Sequence, residues 1–352
     1  MAAARILVFG AGAIGQWVGA RLALAGHSVT LLVRPRQQEA IQKQGIVLKT
    51  SQGTWRVKTV QAATDAAELA RSERFEWIFV TTKAYDAESA MRAIGPLVDG
   101  QVQVVMFQNG LGSEEYAART VGADRTWICS VTKALAVPDA GTVQEMNLKS
   151  GVAIAPYEPG RSSDGLKAVF TGSQIPVLWH DSKLAVKWSK LLLNILGNAV
   201  CAIVDQSTAA VFGHTGLFHL EAKAFREAVK VMQAQELEFV ALPGYPVPLL
   251  KTVMVSLPEL ILQPLMKRRL AEARGEKVPS LRLDMQKSPP RSEVQYLNGA
   301  IAVAGARLGV RTPANTFITD TLQGIVDGTI AWDTYRKKPD VLWEAWRTSR
   351  QR

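Results

Sequence analysis

Four polar residues set in an apolar stretch carry much of the chemistry available to this sequence. Lys187, Lys190, Asn194 and Asn198 stand three, four and four residues apart, among Leu191, Leu192, Leu193, Ile195, Leu196, Ala199 and Val200. On a helix of about 3.6 residues per turn they fall within about 80° of arc, forming one stripe. A long helix starting near Lys183, with Asp181 or Ser182 as N-cap, would present that stripe. Buried amides must be hydrogen-bonded, and a lysine held in apolar surroundings becomes a well-tuned proton donor. Two readings stay open. The asparagines bind the backbone of a neighbouring helix with Lys190 at the rim, or the stripe lines a polar pocket against a nucleotide-binding domain.

The second constellation is Gly10-Ala11-Gly12-Ala13-Ile14-Gly15, directly after the apolar run Arg5–Phe9 and before a helical recurrence of Trp17, Val18, Ala20, Leu22 and Leu24. Gly26-His27 closes that helix and Val29–Val33 reads as the next strand. Strand, glycine-rich turn, helix and strand within about 30 residues is the setting of a dinucleotide-binding fingerprint. Gly10 permits the tight turn, Gly12 lets a pyrophosphate approach the backbone, and Gly15 lets the helix pack close; the helix N-terminus offers amides and positive potential. Ala13 and Ile14 complete the cofactor-binding turn. Beyond the second strand stands Arg34, with Arg36 close behind and no carboxylate before Glu39. A guanidinium suits a 2′-phosphate, whereas a bare ribose diol is usually held by Asp or Glu. Arg34 therefore favours NADPH over NADH, the alternative being a solvated loop cation.

The elements that must position these residues follow in alternation. Glu76–Thr82 and Val102–Phe107 read as buried strands, each followed by a helix, which argues for an open parallel sheet with helices on both faces. Ligands of such sheets sit beyond the carboxyl ends of the strands. Lys83 and Asn109 lie at those ends and face cofactor or substrate; otherwise Lys83 is an exposed helix-start lysine and Asn109-Gly110 an ordinary turn.

Composition bounds the rest. The 352 residues suggest two domains, and a 47% hydrophobic, 20% charged chain is that of an ordered globular protein. The net charge of +10 is scattered, its densest cluster being Lys267-Arg268-Arg269, with no interleaved aromatics. The expectation is an anionic substrate and phosphorylated cofactor, and no nucleic acid. Cys129 and Cys201 make no disulfide framework, His214 and His219 do not share a helical face, and neither H-E-x-x-H nor G-x-S-x-G occurs. No metal site and no hydrolase chemistry are expected. The start MAAARILVFGAG lacks a signal-peptide pattern, and Leu249–Met266 is broken by Lys251, Pro258, Glu259 and Pro264. A cytoplasmic protein, with no membrane association, is expected. Trp332, Trp343 and Trp346 in the tail suggest a core cap or a homodimer contact.

Taken in order along the chain, these residues resemble the ketopantoate reductase (2-dehydropantoate 2-reductase) family. The resemblance rests on GAGAIG, Arg34, Lys83-Ala84, Asn109-Gly110-Leu111-Gly112, the Lys190-x-x-x-Asn194-x-x-x-Asn198 helix and Ser292-Glu293-Val294-Gln295-Tyr296-Leu297-Asn298-Gly299. Ser280-x-x-x-Asp284 and Thr312-Pro313-Ala314-Asn315 also look like family elements, so the likeness runs to about Gly328. It implies NADPH-dependent reduction of a 2-oxo acid to a 2-hydroxy acid, with ketopantoate, the precursor of pantoate in pantothenate and coenzyme A synthesis, as leading substrate. It further implies that Lys190 protonates the forming alkoxide and that Glu293 holds substrate and organises the site. Asn109, Asn194, Asn198 and Ser280 would contact substrate, with Lys83 in the cleft.

The chain departs from the family pattern in places. The stretch from Ser280 to Glu293, containing Ser288-Pro289-Pro290-Arg291, is one residue longer than usual, and Gln295 stands where an acid is common. Ala199-Val200-Cys201 replaces a small-polar continuation, and Leu242–Pro248 adds a proline-rich loop. A related reductase of another 2-oxo acid is the second hypothesis and a non-enzymatic NADPH sensor the third; the presence of Lys190 and Glu293 speaks against the sensor. The expected architecture is α/β: a Rossmann-type doubly wound sheet over residues 1–180, an all-helical substrate domain over 181–330, a tail over 331–352, and the active cleft between the two domains.

Overall fold

The computed structural model describes residues 3–146, 150–274, 278–287 and 290–350. Ser288 and Pro289, part of the lengthened segment noted above, lie outside them. The chain forms two compact units: one of residues 1–187 with Leu242–Tyr245, the other of Trp188–Ala241 with 246–352.

The first unit runs β1 (Arg5–Phe9), α1 (Ala13–Leu24), β2 (Ser28–Leu32), α2 (Pro35–Gln44), β3 (Ile46–Thr50), β4 (Gly53–Val57), β5 (Gln61–Ala63), α3 (Ala66–Ser72), β6 (Trp77–Val80), α4 (Ala87–Ile94), β7 (Gln103–Met106), α5 (Glu114–Val121), β8 (Thr126–Val131), β9 (Leu135–Ala136), β10 (Thr142–Glu145), β11 (Val152–Pro156), α6 (Asp164–Phe170) and β12 (Val177–Trp179). Eight strands form one sheet in the order β12-β11-β8-β7-β6-β1-β2-β5. From β5 to β8 all neighbours are parallel, as the buried apolar runs predict; β11 then pairs antiparallel with β8. A second sheet, β4-β3-β10-β9, was not anticipated. Its β3–β4 hairpin turns through Ser51-Gln52, and β10 joins β3 from a distant part of the chain.

The chain leaves β1 toward β2 on one side and later returns to lay β6 on the other, so the order of connection reverses beside β1. Crevices for ligands form at the carboxyl ends of strands at such a point. The parallel register brings Gly10, Arg34, Lys83 and Asn109 to that one edge.

The second unit is helical: α7 (Lys183–Ile195), which begins in the first unit, then α8 (Ala199–Val204), α9 (Thr208–Gly213), α10 (Thr215–Ala234), α11 (Val247–Ser256), α12 (Glu259–Arg274), α13 (Ser280–Met285), α14 (Asn298–Arg307), α15 (Pro313–Val326) and α16 (Pro339–Ser349). Its centre is the long α10, with Leu217, Leu220, Phe225, Ala228 and Val231 fully buried. A buried Glu227 on α10 accepts the amides of Ala314 and Asn315 at 3.0 and 3.1 Å, capping the start of α15. By length and hydropathy the stretch Lys183–Val204 could cross a membrane, but most of it is buried inside the protein, as core segments are.

One expectation needs correction here. The polar stripe does not ride on a single helix: α7 ends at Ile195, Gly197 takes a left-handed φ of 57°, and Asn198 starts a new turn ahead of α8. Glycine stops a helix this way because it adopts positive φ without a Cβ penalty. Glu221 secures the break by accepting the Gly197 amide at 2.9 Å.

Glycines of the first turn carry unequal demands. A Cβ on Gly15 would lie 1.9 Å from the Gly10 carbonyl oxygen and 2.6 Å from Thr81 Oγ1, whereas one on Gly12 would meet nothing within 4 Å. Gly15→Ala is therefore expected to lower stability by about 1–3 kcal/mol, as overpacking does. Gly12→Ala, at an ordinary φ of −72°, should change it by less than about 0.5 kcal/mol. Urea denaturation of the two variants checks this; equal losses would refute it.

Candidate functional site

The carboxyl edge of the large sheet is built from main-chain turns held in place by side chains. Thr81, just past β6, donates its hydroxyl to the carbonyls of Phe9 and Gly10, both within 3.1 Å, pinning the glycine turn to the neighbouring strand. Gln16 and Gln37 each donate a side-chain amide to the Ala11 carbonyl at 2.8 Å. The turn is thus rigid before any ligand arrives. Its middle glycine faces open space, and the N-terminus of α1 stands behind it. Arg34 is exposed at the end of β2, ahead of α2, and Arg36 is exposed on the first turn of α2.

Two further features suit this edge to a polar ligand. Thr82 Oγ1 and Gln108 Oε1 are buried without a hydrogen-bond partner among the described residues. Both stand where β6 and β7 end, and Gln108 spends its amide hydrogens on the carbonyls of Val80 and Thr82 at 2.9 and 3.1 Å. Buried polar atoms left over in a protein interior are normally completed by water or ligand. A dinucleotide therefore fits the residues present: a glycine cradle, a helix N-terminus, an exposed guanidinium at the β2 end and leftover polar atoms at the β6 and β7 ends. Lys83 is half-buried at the start of the turn after β6, and Asn109 is half-buried between Gln108 and Gly110, whose φ is 78°.

Sequence reasoning missed the ion pair that holds the Asn109 loop. Lys187 is buried in the first unit, where its Nζ donates to the Gln108 carbonyl at 3.1 Å and lies 3.2 Å from Glu114 Oε2. Lysine and glutamate are each 3% exposed. Lys187 had been read as part of the stripe; it instead braces the turn that presents Asn109. Burial pushes the Glu114 carboxyl up, but the Lys187 ammonium and backbone amides donating to it together outweigh that and hold the carboxyl below its usual range. The signal in sequence was the acidic pair Glu114-Glu115 opening α5 just after a small-residue turn. A second buried cluster was also missed: Glu145 accepts from Trp17 Nε1 at 2.7 Å, Arg21 Nε at 2.9 Å and Lys133 Nζ at 2.9 Å, tying α1 and the β8 end to the small sheet. The Pro243 carbonyl in the proline-rich loop accepts the Thr132 hydroxyl at 2.8 Å, so that loop packs on the first unit.

In the second unit Lys190 and Asn194 are half-buried on α7. Asn198 donates to the Asn194 carbonyl at 3.1 Å and to Ser280 Oγ at 3.4 Å, while its Oδ1 accepts the Leu281 amide at 3.1 Å. Two of the side chains singled out in the sequence, Asn198 and Ser280, therefore meet, and Asn194 joins them through its main-chain carbonyl. Glu293 is buried just ahead of the short turn Val294–Tyr296. Both cysteines are buried, and burial pushes the Cys129 thiol well up, away from nucleophilic use. The tail tryptophans act as core: Trp346 is buried, and the Trp343 ring packs against Gly216 so closely that a Cβ there would lie 2.5 Å from it.

Glu114→Gln leaves the Lys187 ammonium buried without its counter-charge and is expected to cost about 3–5 kcal/mol near pH 7. Because the folded carboxyl gives up its proton more readily than the unfolded one, its contribution is full above the ordinary value of 4.5 and lost as pH falls through the lower folded value. The gap between wild type and Glu114→Gln in urea midpoint should narrow below pH 4.5. A gap constant down to the acid limit of folding would contradict it.

Comparison with known proteins bears on the chain as a whole. Residues 6–159 match the family model described as ketopantoate reductase PanE/ApbA, and residues 184–326 match that family's C-terminal model. A 2-dehydropantoate 2-reductase of Pyrococcus horikoshii is 26% identical over 88% of this chain and 94% of its own length. One from Archaeoglobus fulgidus is 27% identical over 92% of this chain and 98% of its own. The structure of a PanE/ApbA family ketopantoate reductase from Ralstonia eutropha JMP134 is 25% identical with a TM-score of 0.76, covering 92% of this chain and 99% of that one. D-mandelate dehydrogenase, solved with NADH and anilino(oxo)acetate, shares the fold at 22% identity and a TM-score of 0.77, with 92% and 99% covered. Matched by family models in both halves, the chain belongs to the ketopantoate reductase PanE/ApbA family and is an oxidoreductase.

Proposed function

We propose that this protein is a cytoplasmic enzyme that reduces a 2-oxo acid to the 2-hydroxy acid with NADPH. Its leading substrate is ketopantoate, which would become pantoate for pantothenate and coenzyme A synthesis. The observation that carries this reading is that Asn198 links the Asn194 carbonyl, on the helix that bears Lys190, to the Ser280 hydroxyl. An amide and a hydroxyl joined to the lysine-bearing helix suit a small acid with a neighbouring ketone, which needs polar partners for its oxygens and a proton source.

The glycine turn Gly10–Gly15 cradles the pyrophosphate, and Arg34 pairs with the 2′-phosphate, a doubly charged group that a guanidinium grips in bidentate fashion. Lys83 and Asn109 face the cofactor from the ends of β6 and β7. When bound, the reduced nicotinamide supplies hydride. As charge develops on the C2 oxygen of the substrate, the Lys190 ammonium stabilises it and gives up its proton there, leaving a neutral hydroxyl. Solvent then reprotonates the amine. Glu293 helps hold the substrate and organise the site.

A second reading keeps the chemistry and changes the acid. D-mandelate dehydrogenase carries an oxo-acid analogue on the same fold, and the Leu242–Pro248 loop is an addition to the family pattern. NADPH oxidation over a panel of 2-oxo acids separates the two: turnover of ketopantoate supports the first, turnover confined to another acid the second, and turnover of none defeats both.

Lys190→Ala is expected to lower kcat about 100-fold or more with NADPH affinity nearly intact; unchanged turnover would remove the proton-donor role. Arg34→Ala should weaken NADPH about tenfold or more and leave NADH within about twofold, since a lost charge-assisted contact is worth about 1.5–3 kcal/mol. Fluorescence titration with each cofactor decides it, and equal weakening would count against the 2′-phosphate contact.

A further inference from the structure

Residues 327–350 lie past the end of the family's C-terminal model at residue 326, and the chemistry proposed above uses none of them. They nevertheless reach the site residues of the second unit through a short chain of contacts. Trp332 Nε1 donates to the carbonyls of Ala202 at 3.1 Å and Ile203 at 2.9 Å, and the Lys337 amide donates to the Val204 carbonyl at 2.8 Å. These are the last carbonyls of α8, the groups that a helix end leaves without internal partners. Asp205 follows them in the left-handed region, at a φ of 48°.

The Asp205 carboxylate is the junction. One oxygen receives Arg336 Nε at 3.2 Å and lies 3.4 Å from Lys337 Nζ; the other receives Arg282 Nε at 2.8 Å. Arg336 and Lys337 belong to the tail, whereas Arg282 sits on α13, whose first residue is Ser280. The amide of Leu281 on that helix donates to Asn198 Oδ1, and Asn198 begins α8. Asp205 is buried and Arg282 largely so, whereas the Arg336 and Lys337 side chains are about half exposed, so solvent screens the tail ion pairs more than the Arg282 pair. Helices α8 and α13 have six residues each. Helices that short are not stable alone and take their position from tertiary contacts. The tail itself is anchored independently by Leu342 and Trp346, both buried.

We propose that the tail is a positioning clamp: through Trp332, Arg336 and Lys337 it fixes the end of α8, and through Asp205 it locks α8 to α13, setting the spacing of Asn198 and Ser280. The clamp rests on this geometry, and its consequence for substrate rests on the reading above that Asn198 and Ser280 contact the 2-oxo acid. Asp205 and the three tail residues are positioning residues; none is assigned to the reacting atoms.

The test uses the full-length protein carrying Asp205→Asn, which removes the charge and keeps a side chain tolerant of the left-handed region, and separately Trp332→Phe, which removes the indole N–H together with part of the ring under Arg336. Amide hydrogen exchange at Leu281 should quicken about tenfold in both, with amides of α10 and of the large sheet unchanged. KM for the 2-oxo acid should rise about tenfold, while kcat and the NADPH dissociation constant stay within about twofold. Unchanged exchange at Leu281, or equal acceleration throughout the chain, overturns the clamp. Faster local exchange with an unaltered KM overturns its consequence for substrate. Absence of any 2-oxo acid turnover by the unaltered protein defeats the functional reading, while the exchange result still decides the clamp.

Discussion

The approach of α1 to the turn before it governs the whole first unit. The helix comes so close that its third residue has no room for a side chain, with the Gly10 carbonyl standing where a Cβ would be. That closeness aims the first-turn amides at the end of β1. It also leaves Thr81 within reach of the same turn from the adjacent strand. Parallel pairing then carries the ends of β2, β6 and β7 to one edge, and each contributes a residue able to touch a ligand. Had the helix stood off by the width of a methyl group, the strand ends would remain and the focus they share would not.

Charge is used sparingly inside both units and in one consistent way. Three carboxylates show it: Glu114 pairs with Lys187 beside the Gln108 carbonyl, Glu145 serves Arg21, Lys133 and Trp17, and Glu227 serves two backbone amides and Asn315. Removing an ion from water costs several kcal/mol, and only a nearly complete set of partners offsets that. Such groups fix register more than they add stability. Each joins separate elements: a loop to a helix, a sheet to a helix, a helix start to the middle of another.

Reading the sequence recovered what local pattern encodes. The glycine turn, the strands bearing Lys83 and Asn109, and the helical second half are all statements about neighbours in the chain, written in periodicity and turn chemistry. The break at Gly197 was written there too. A glycine followed by an asparagine is an ordinary helix stop, but the polar period running through it suggested continuity, and only the Glu221 contact shows which signal prevailed. The second sheet and the Lys187–Glu114 pair depend on partners remote in sequence. No window of residues contains β3 with β10, or a buried ammonium with the carboxylate that neutralises it. Asn198 lies between these cases: its chemical type was visible, and its bond to the Leu281 amide was not.

The path of the backbone has a consequence for the order of assembly. The first unit takes back Leu242–Tyr245 after the chain has already built α7 to α10. Emerging from a ribosome, the sheet can form once β12 is out, with the Thr132 hydroxyl already able to donate to the Gly151 carbonyl; its shorter bond to the Pro243 carbonyl comes only when residue 243 arrives. The first unit is therefore finished late, by a segment that must be spun out after α7 to α10. Contacts between such distant parts of a chain form slowly, because a long loop must close before they repay the entropy. For this protein the return of Leu242–Tyr245 is a stage in folding, and a nascent chain halted before residue 242 would carry the first unit without its last segment.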